Sequence, residues 1–358
     1  MSALPLESLF CLGFDGTAAP DYVRSLLAAG LGGVILFRRN VKSLEQFCEL
    51  TGTLHAASVH PLLVGVDQEG GRVLRLPSPF LSAPPAAALG AADDPSLTQR
   101  FACAVGRELR AAGVTWNLAP VLDVQTNAAN TVIGDRAYGA TPELVARHGL
   151  AALEGYAEAG ILATGKHFPG HGDTADDSHE TLPESRQTAA RWRAVEFEPF
   201  RRAVGAGVPM VLVAHLRCPA LDPELPSSLS RRTITGILRQ ELGFAGVVVS
   251  DDLEMAAISA RMDVGEAAIR FLEAGGDLVL ICRTTARQLA AIAAVRAAVR
   301  SGRLPEARVL ESIARITRCA ERLPGPLGPN PAMARTAVAA LAHNRLLADL
   351  ATRMRSVS

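Results

Sequence analysis

The feature that most constrains this chain is a recurrence. Eight short β-branched and apolar runs each precede a stretch of helical pattern: LFCLGF (9–14), GVILF (33–37), LLVGVD (62–67), TWNLAP (115–120), ILATGKHF (161–168), MVLVAH (210–215), GVVVSD (246–251) and LVLIC (278–282). Between them, segments such as SLEQFCELTGTLHAA, PSLTQRFACAVGRELRAAG and PELVARHGLAALEGYAEAG repeat apolar residues every three or four positions. The last two open on proline and close on glycine, as helix boundaries do. Alternating β and α units build a parallel sheet. A doubly wound open sheet would share that pattern, but eight strands match a closed barrel. The expected fold class is therefore α/β, a (β/α)8 TIM-like barrel forming a single domain over residues 1–322. From about residue 303 the pattern changes to extra C-terminal helices. The Pro/Gly-rich linker LPGPLGPNP (323–331) leads to a C-terminal helix, 332–358, that either packs on the barrel exterior or frays.

Composition excludes several classes of function. The 36 basic side chains balance 36 acidic ones, so no net field favours nucleic acid or an anionic membrane. The six cysteines (Cys11, Cys48, Cys103, Cys218, Cys282, Cys319) are scattered without a CxxC pair and read as reduced core thiols of a cytoplasmic protein. No signal segment or run of bilayer length is visible. A small or neutral ligand fits this balance better.

Barrels of this type do chemistry at the C-terminal ends of their strands, and the polar residues cluster there. Asp67 ends the third run, Asp123 follows the fourth, Lys166 and His167 end the fifth, His215 the sixth and Asp251 the seventh. In SDDLEM (250–255), an acid emerging from a buried strand tip suits a carboxylate nucleophile; alternatively, Asp251 or Asp252 caps the next helix. In VDQEGGRVLRL (66–76), Asp67, Arg72 and Arg75 offer an acceptor and donors for sugar hydroxyls, or a structural salt bridge. Arg136 in VIGDRAYG either points into the site or locks its loop.

The densest segment is TGKHFPGHGDTADDSHETLP (164–183), with His167, His171 and His179 and the acids Asp173, Asp176, Asp177 and Glu180 on a chain broken by Pro169, Gly170 and Gly172. A zinc site is one reading, but its histidine spacings fall on an irregular loop and no HExxH is present. A second has histidines organising the loop, which describes His171. A third makes Asp177 and His179 a dyad, the acid fixing the imidazole tautomer. Hydrolysis through Ser178 lacks a GxSxG elbow.

These residues resemble the bacterial β-N-acetylhexosaminidases of glycoside hydrolase family 3. Lys166–Gly172 followed by Asp177–His179 meets the family's KHFPGHG and DSH pattern, and LFRRNV, VDQEGGRV, VIGDR, AHLRCPALDP, PSSLS and SDDLEM look like its other landmarks in order. AYG stands where such enzymes often have SFG, and QTN replaces an asparagine-rich turn. The resemblance implies a single catalytic barrel with Asp251 as nucleophile, His179 as acid/base oriented by Asp177, and sugar binding by Asp67, Arg75, Arg136, Lys166 and His167. No cofactor and no metal are expected. The expected partner is a muropeptide or disaccharide containing N-acetylglucosamine, with no nucleic acid and no membrane, and the protein is expected to be a cytoplasmic monomer. A second carboxylate is the usual acid in retaining glycosidases; the resemblance puts a histidine in that place. Phosphorolysis, β-glucosidase activity and non-catalytic sugar binding are the competing readings.

Overall fold

The structure is a computed structural model describing residues 4–174, 182–325, 327–338 and 340–357. All eight apolar runs form strands: β1 Phe10–Leu12, β2 Gly33–Leu36, β3 Leu63–Val66, β4 Trp116–Asn117, β5 Leu162–Phe168, β6 Met210–Val213, β7 Val247–Ser250 and β8 Val279–Ile281. They pair in parallel in the order β7-β6-β5-β4-β3-β2-β1-β8. A bridge between Val249 and Leu278, with Ser250 N–H donating to the Leu278 carbonyl at 3.0 Å, brings β7 back to β8 and rounds the sheet into a barrel. The strands are buried along their whole length, as expected where helices cover a parallel sheet outside and side chains fill it inside. β4 is shorter than its sequence run because Pro120 has no N–H for a ladder. Inside the barrel, Trp116 lies flat over Gly65, where an added Cβ would come within 2.6 Å of the indole.

The helices start where local chemistry tells them to. Asp94 caps the helix Pro95–Ala111 by accepting from the N–H groups of Ser96 and Leu97. Ser43 does the same for Leu44–Ala57 through Gln46 N–H. Pro95–Ala111 packs unusually closely on Pro142–Glu158: a Cβ at Gly155 would sit 2.3 Å from the Gln99 carbonyl oxygen, so a side chain there would force the helices apart.

After Thr285–Arg300, the last barrel helix, the helix Glu306–Ala320 returns beneath the barrel. It is tied to the foot of β8 by Asp277, a fully buried carboxylate that receives Arg308 at 3.1 Å, Arg315 at 3.1 Å and Ser312 at 2.7 Å. The same carboxylate takes Arg239 at 2.5 Å and Val248 N–H, in β7, at 2.9 Å. The single helix expected over 332–358 is instead two, Pro331–Ala337 and Ala340–Val357. Buried Val338 anchors the end of the first. The second packs on the barrel exterior along Pro95–Ala111, with ion pairs Arg100–Asp349 and Asp94–Arg353 and a close contact between His343 and Glu108, whose burial shifts both towards their neutral forms. Among the described residues, no helix is long and apolar enough to cross a membrane.

Candidate active site

The C-terminal ends of the strands enclose a cavity of about 220 Å³ lined by Asp67, Glu69, Arg75, Arg136, Lys166, His167, His171, Asp251 and Asp252. Phe37, Leu212 and Leu280 supply apolar floor and wall. A larger groove of about 1160 Å³ lies at the opposite end, between the helix ends of Leu44–Ala57 and Pro95–Ala111 and the 325–337 segment. Its polar groups are occupied structurally, His55 by the Gly113 carbonyl and Arg107 by Glu158, so the smaller cavity is where ionisable groups converge.

The turn after β3 is built around Gln68. Its side-chain oxygen accepts from the N–H groups of Arg75 and Leu76, while its own N–H donates to Asn117. Gly70 and Gly71 take positive φ values of 118° and 56°, letting the chain reverse. This arrangement presents Asp67 and Glu69 together. Lys166 Nζ lies 2.8 Å from Asp67 and 2.5 Å from Glu69, and Arg75 reaches Asp67 at 3.4 Å. Arg136 grips Glu69 from the far side. Burial pushes the Glu69 carboxyl up, but Lys166 and Arg136 outweigh it and hold the group well below the usual carboxylate range. Asp67 is displaced downward in the same way, burial being outweighed by Lys166 and then Arg75.

His167 follows Lys166 across a cis peptide. Its Nδ1 lies 2.7 Å from Asp123, and its Nε2 receives Arg136 at 3.2 Å. Those partners assign the ring proton to Nδ1. Asp123 also accepts the His171 N–H at 2.6 Å, so one buried carboxylate aligns both histidines. His171 Nδ1 meets Thr174 Oγ1 at 2.6 Å and its carbonyl accepts from Asn130. Among the described residues, no three His, Cys, Asp or Glu side chains are grouped as a metal site.

Asp251 stands at the tip of β7. Its N–H donates to the Val213 carbonyl of β6 at 3.1 Å, and its Oδ1 accepts the N–H of Asp252 at 2.9 Å. The neighbouring Asp252 side chain accepts from the N–H groups of Glu254 and Cys282. Asp251 and Asp252 thus line the cavity without capping a helix that begins at once; the next helix starts at Ala256.

Asp67, Arg75, Arg136, Lys166, His167 and Asp251, drawn from separate places in the sequence, therefore meet in one cavity. Asp177 and His179 lie outside the described residues. Arg72 does not join the cavity: its guanidinium pairs with Asp135 at 2.9 Å and donates to the carbonyls of Thr131, Val132 and Ile133, locking the neighbouring loop. Glu69 was missed from the sequence, although the two-residue spacing from Asp67 places both on one side of an extended chain.

The profile of the glycosyl hydrolase family 3 N-terminal domain matches residues 13–319. The chain belongs to glycosyl hydrolase family 3. This glycoside hydrolase is 41% identical over 278 residues to a β-hexosaminidase of Alkalilimnicola ehrlichii, covering 76% of this chain and 79% of that one. Among solved structures, it superposes on a family 3 β-N-acetylglucosaminidase from Paenibacillus sp. with a TM-score of 0.93 and 40% identity, over 99% of this chain and 69% of that one. It also matches zinc-bound CbsA from Thermotoga neapolitana with a TM-score of 0.84 and 31% identity, over 91% of this chain and 70% of that one.

Proposed function

We propose that this family 3 enzyme is a retaining, exo-acting β-N-acetylglucosaminidase that removes terminal β-linked N-acetylglucosamine from soluble peptidoglycan fragments. The observation that carries this reading is Asp251: a carboxylate on a rigid strand tip, one oxygen tied to a backbone N–H, facing a cavity ringed by hydroxyl-binding groups. Drug-sized ligands occupy roughly 300–1,000 Å³, so a space of about 220 Å³ suits one sugar ring and favours exo action. The charges around it alternate, so the ring of groups suits a neutral sugar. The relatives' own names, β-hexosaminidase and β-N-acetylglucosaminidase, support the N-acetylated sugar. The six buried, unpaired thiols suit a reducing cytoplasm.

In this reading Asp251 attacks the anomeric carbon as the bond to the leaving oxygen breaks, and the imidazole of His179 protonates that oxygen. The same imidazole then takes a proton from water, which attacks the glycosyl-enzyme ester and releases Asp251. Asp177 orients the ring, and Asp67, Arg75, Lys166, Arg136 and His167 hold the sugar. No step of this mechanism is routed through a metal.

The test combines product analysis with one variant. N-acetylglucosaminyl disaccharide is incubated with and without phosphate and the first-formed sugar is followed by NMR. The free β anomer in both conditions is the expected result, and Asp251→Ala should lose several orders of magnitude in rate with its circular dichroism unchanged. A first-formed α anomer would overturn double displacement, and a sugar 1-phosphate would make the enzyme a phosphorylase.

A further inference from the structure

The landmarks AHLRCPALDP and PSSLS have no place in the mechanism above, yet they meet directly behind Asp251. The PSSLS segment is laced to the end of β6: Ser227 Oγ donates to the Ala214 carbonyl at 2.6 Å and receives the Leu216 N–H at 3.2 Å. Ser230 donates to Asp222 at 2.7 Å, so the loop between the two landmarks is closed on itself. Held in this way, Ser228 sets its hydroxyl 2.7 Å from Nδ1 of His215, and Nε2 of His215 lies 3.1 Å from the carbonyl oxygen of Asp252.

The hydrogen bonds fix their own direction. A carbonyl only accepts, so Nε2 carries the proton, and Nδ1 accepts from Ser228. Both His215 and Ser228 are fully buried, which protects the chain of bonds from competition by water. The peptide of Asp252 is therefore held at its carbonyl by His215, while the Asp252 side chain is held by the Cys282 N–H that follows β8. It is the N–H of this same residue, Asp252, that grips Oδ1 of Asp251.

We infer that His215, set by Ser228, is a positioning residue for the nucleophile: through the Asp252 backbone it fixes which way the Asp251 carboxylate faces. His215 is not among the residues that line the cavity. The inference rests on Asp251 being the nucleophile, and it predicts a distinctive kinetic pattern. A misaimed nucleophile slows attack whatever the leaving group, and a misplacement of about 1 Å can cost about 10²-fold.

The experiment compares His215→Ala, His215→Gln and Ser228→Ala with wild type on dinitrophenyl N-acetyl-β-glucosaminide and on an N-acetylglucosaminyl disaccharide. His215→Ala should lower kcat about 10²-fold by the same factor on both substrates, with KM changed less than about threefold. His215→Gln, whose amide can still donate to the carbonyl, should recover most of the rate, and Ser228→Ala should show a smaller loss of the same pattern. A loss carried by KM, a loss that depends on the leaving group, or a wild-type kcat in Ser228→Ala would overturn the inference. Ser228→Ala and His215→Gln decide the matter if His215→Ala does not fold. Asp251→Ala is run in parallel: if it stays active the nucleophile reading itself falls, whereas a dead Asp251→Ala beside fully active His215 and Ser228 variants removes only the tether.

Discussion

Arg136 holds both carboxylate oxygens of Glu69 along one edge of its guanidinium, Nε to Oε2 at 2.8 Å and Nη2 to Oε1 at 2.8 Å. Burial alone would lower the Arg136 pKa, but Glu69 more than offsets this and holds it above the ordinary arginine value. Lys166 completes the arrangement from the other side. Together with Asp67, which also pairs with Lys166, Glu69 therefore lets two cations sit nearly dry at the C-terminal end of the barrel strands.

Removing it should be costly. Breaking a buried ion pair typically destabilises by about 3–5 kcal/mol because a charge is left uncompensated, and Glu69→Ala should lose about that much in urea unfolding at neutral pH. The pH dependence has a definite sign. The folded pKa of Glu69 is depressed, so its contribution is complete above the ordinary value of 4.5 and is lost as pH falls toward the folded value. The gap between wild type and Glu69→Ala should accordingly narrow in acid. A constant gap from neutral pH to strong acid would remove Glu69 from this role.

Asp252 should behave in the opposite sense. Burial, with the charges of Glu254 and Asp251, pushes its carboxyl from 3.8 up to about 6. A raised carboxyl favours the folded state while it stays protonated and loses that advantage as pH rises from about 4 through about 6. At most, the displacement is worth about 3 kcal/mol. Asp252→Asn keeps an acceptor for the N–H groups of Glu254 and Cys282 and cannot ionise. Its melting temperature relative to wild type should therefore climb between pH 4 and 6 and then level off. A flat difference across that range would show that Asp252 ionises as freely folded as unfolded.

The acid/base role proposed for His179 depends on when a proton is needed. A sugar leaves poorly as an anion, whereas dinitrophenolate leaves readily. His179→Ala should lose far more glycosylation rate on a disaccharide than on the dinitrophenyl glycoside, and azide should accelerate release by forming a glycosyl azide. Asp177→Asn should be milder, weakening the imidazole without removing it. Equal losses in glycosylation for both leaving groups in pre-steady-state kinetics would send the search for the acid elsewhere.

Exhaustive chelation should leave the rate unchanged. Activity lost to chelator and restored by zinc would instead assign His167, His171 and His179 as ligands.

Much of this was legible in the sequence, for reasons that differ from residue to residue. The strands announced themselves by apolar runs at regular intervals, and Asp67, Lys166, His167 and Asp251 by standing at the ends of those runs, where a barrel fixes direction. Arg72 was ambiguous because it sits in an irregular turn, where no periodicity says which way a side chain points, and Asp135 captured it. The link between Ser228 and His215 could not be read at all: the intervening loop, closed by Asp222 and Ser230, brings them together. The last helix was equally undecidable, because its anchors are single polar contacts to Asp94, Arg100 and Glu108, far back in the chain.

Asp277 carries a consequence beyond holding a helix. A closed barrel has no edge strands, but only while its seam holds, and here the seam between β7 and β8 is a short ladder, with Leu278 N–H donating to Val248, Ser250 N–H to Leu278 and Leu253 N–H to Leu280. At its foot the Asp277 carboxylate joins Val248 N–H to three arginines, and at its top the Asp252 carboxylate reaches Cys282 N–H. Were the lower fastening lost, that short ladder alone would keep the apolar edges of Val247–Ser250 and Val279–Ile281 paired, and an opened edge is the kind of surface on which chains add to one another. One buried aspartate at the end remote from the cavity thus helps keep two strand edges out of reach of other chains.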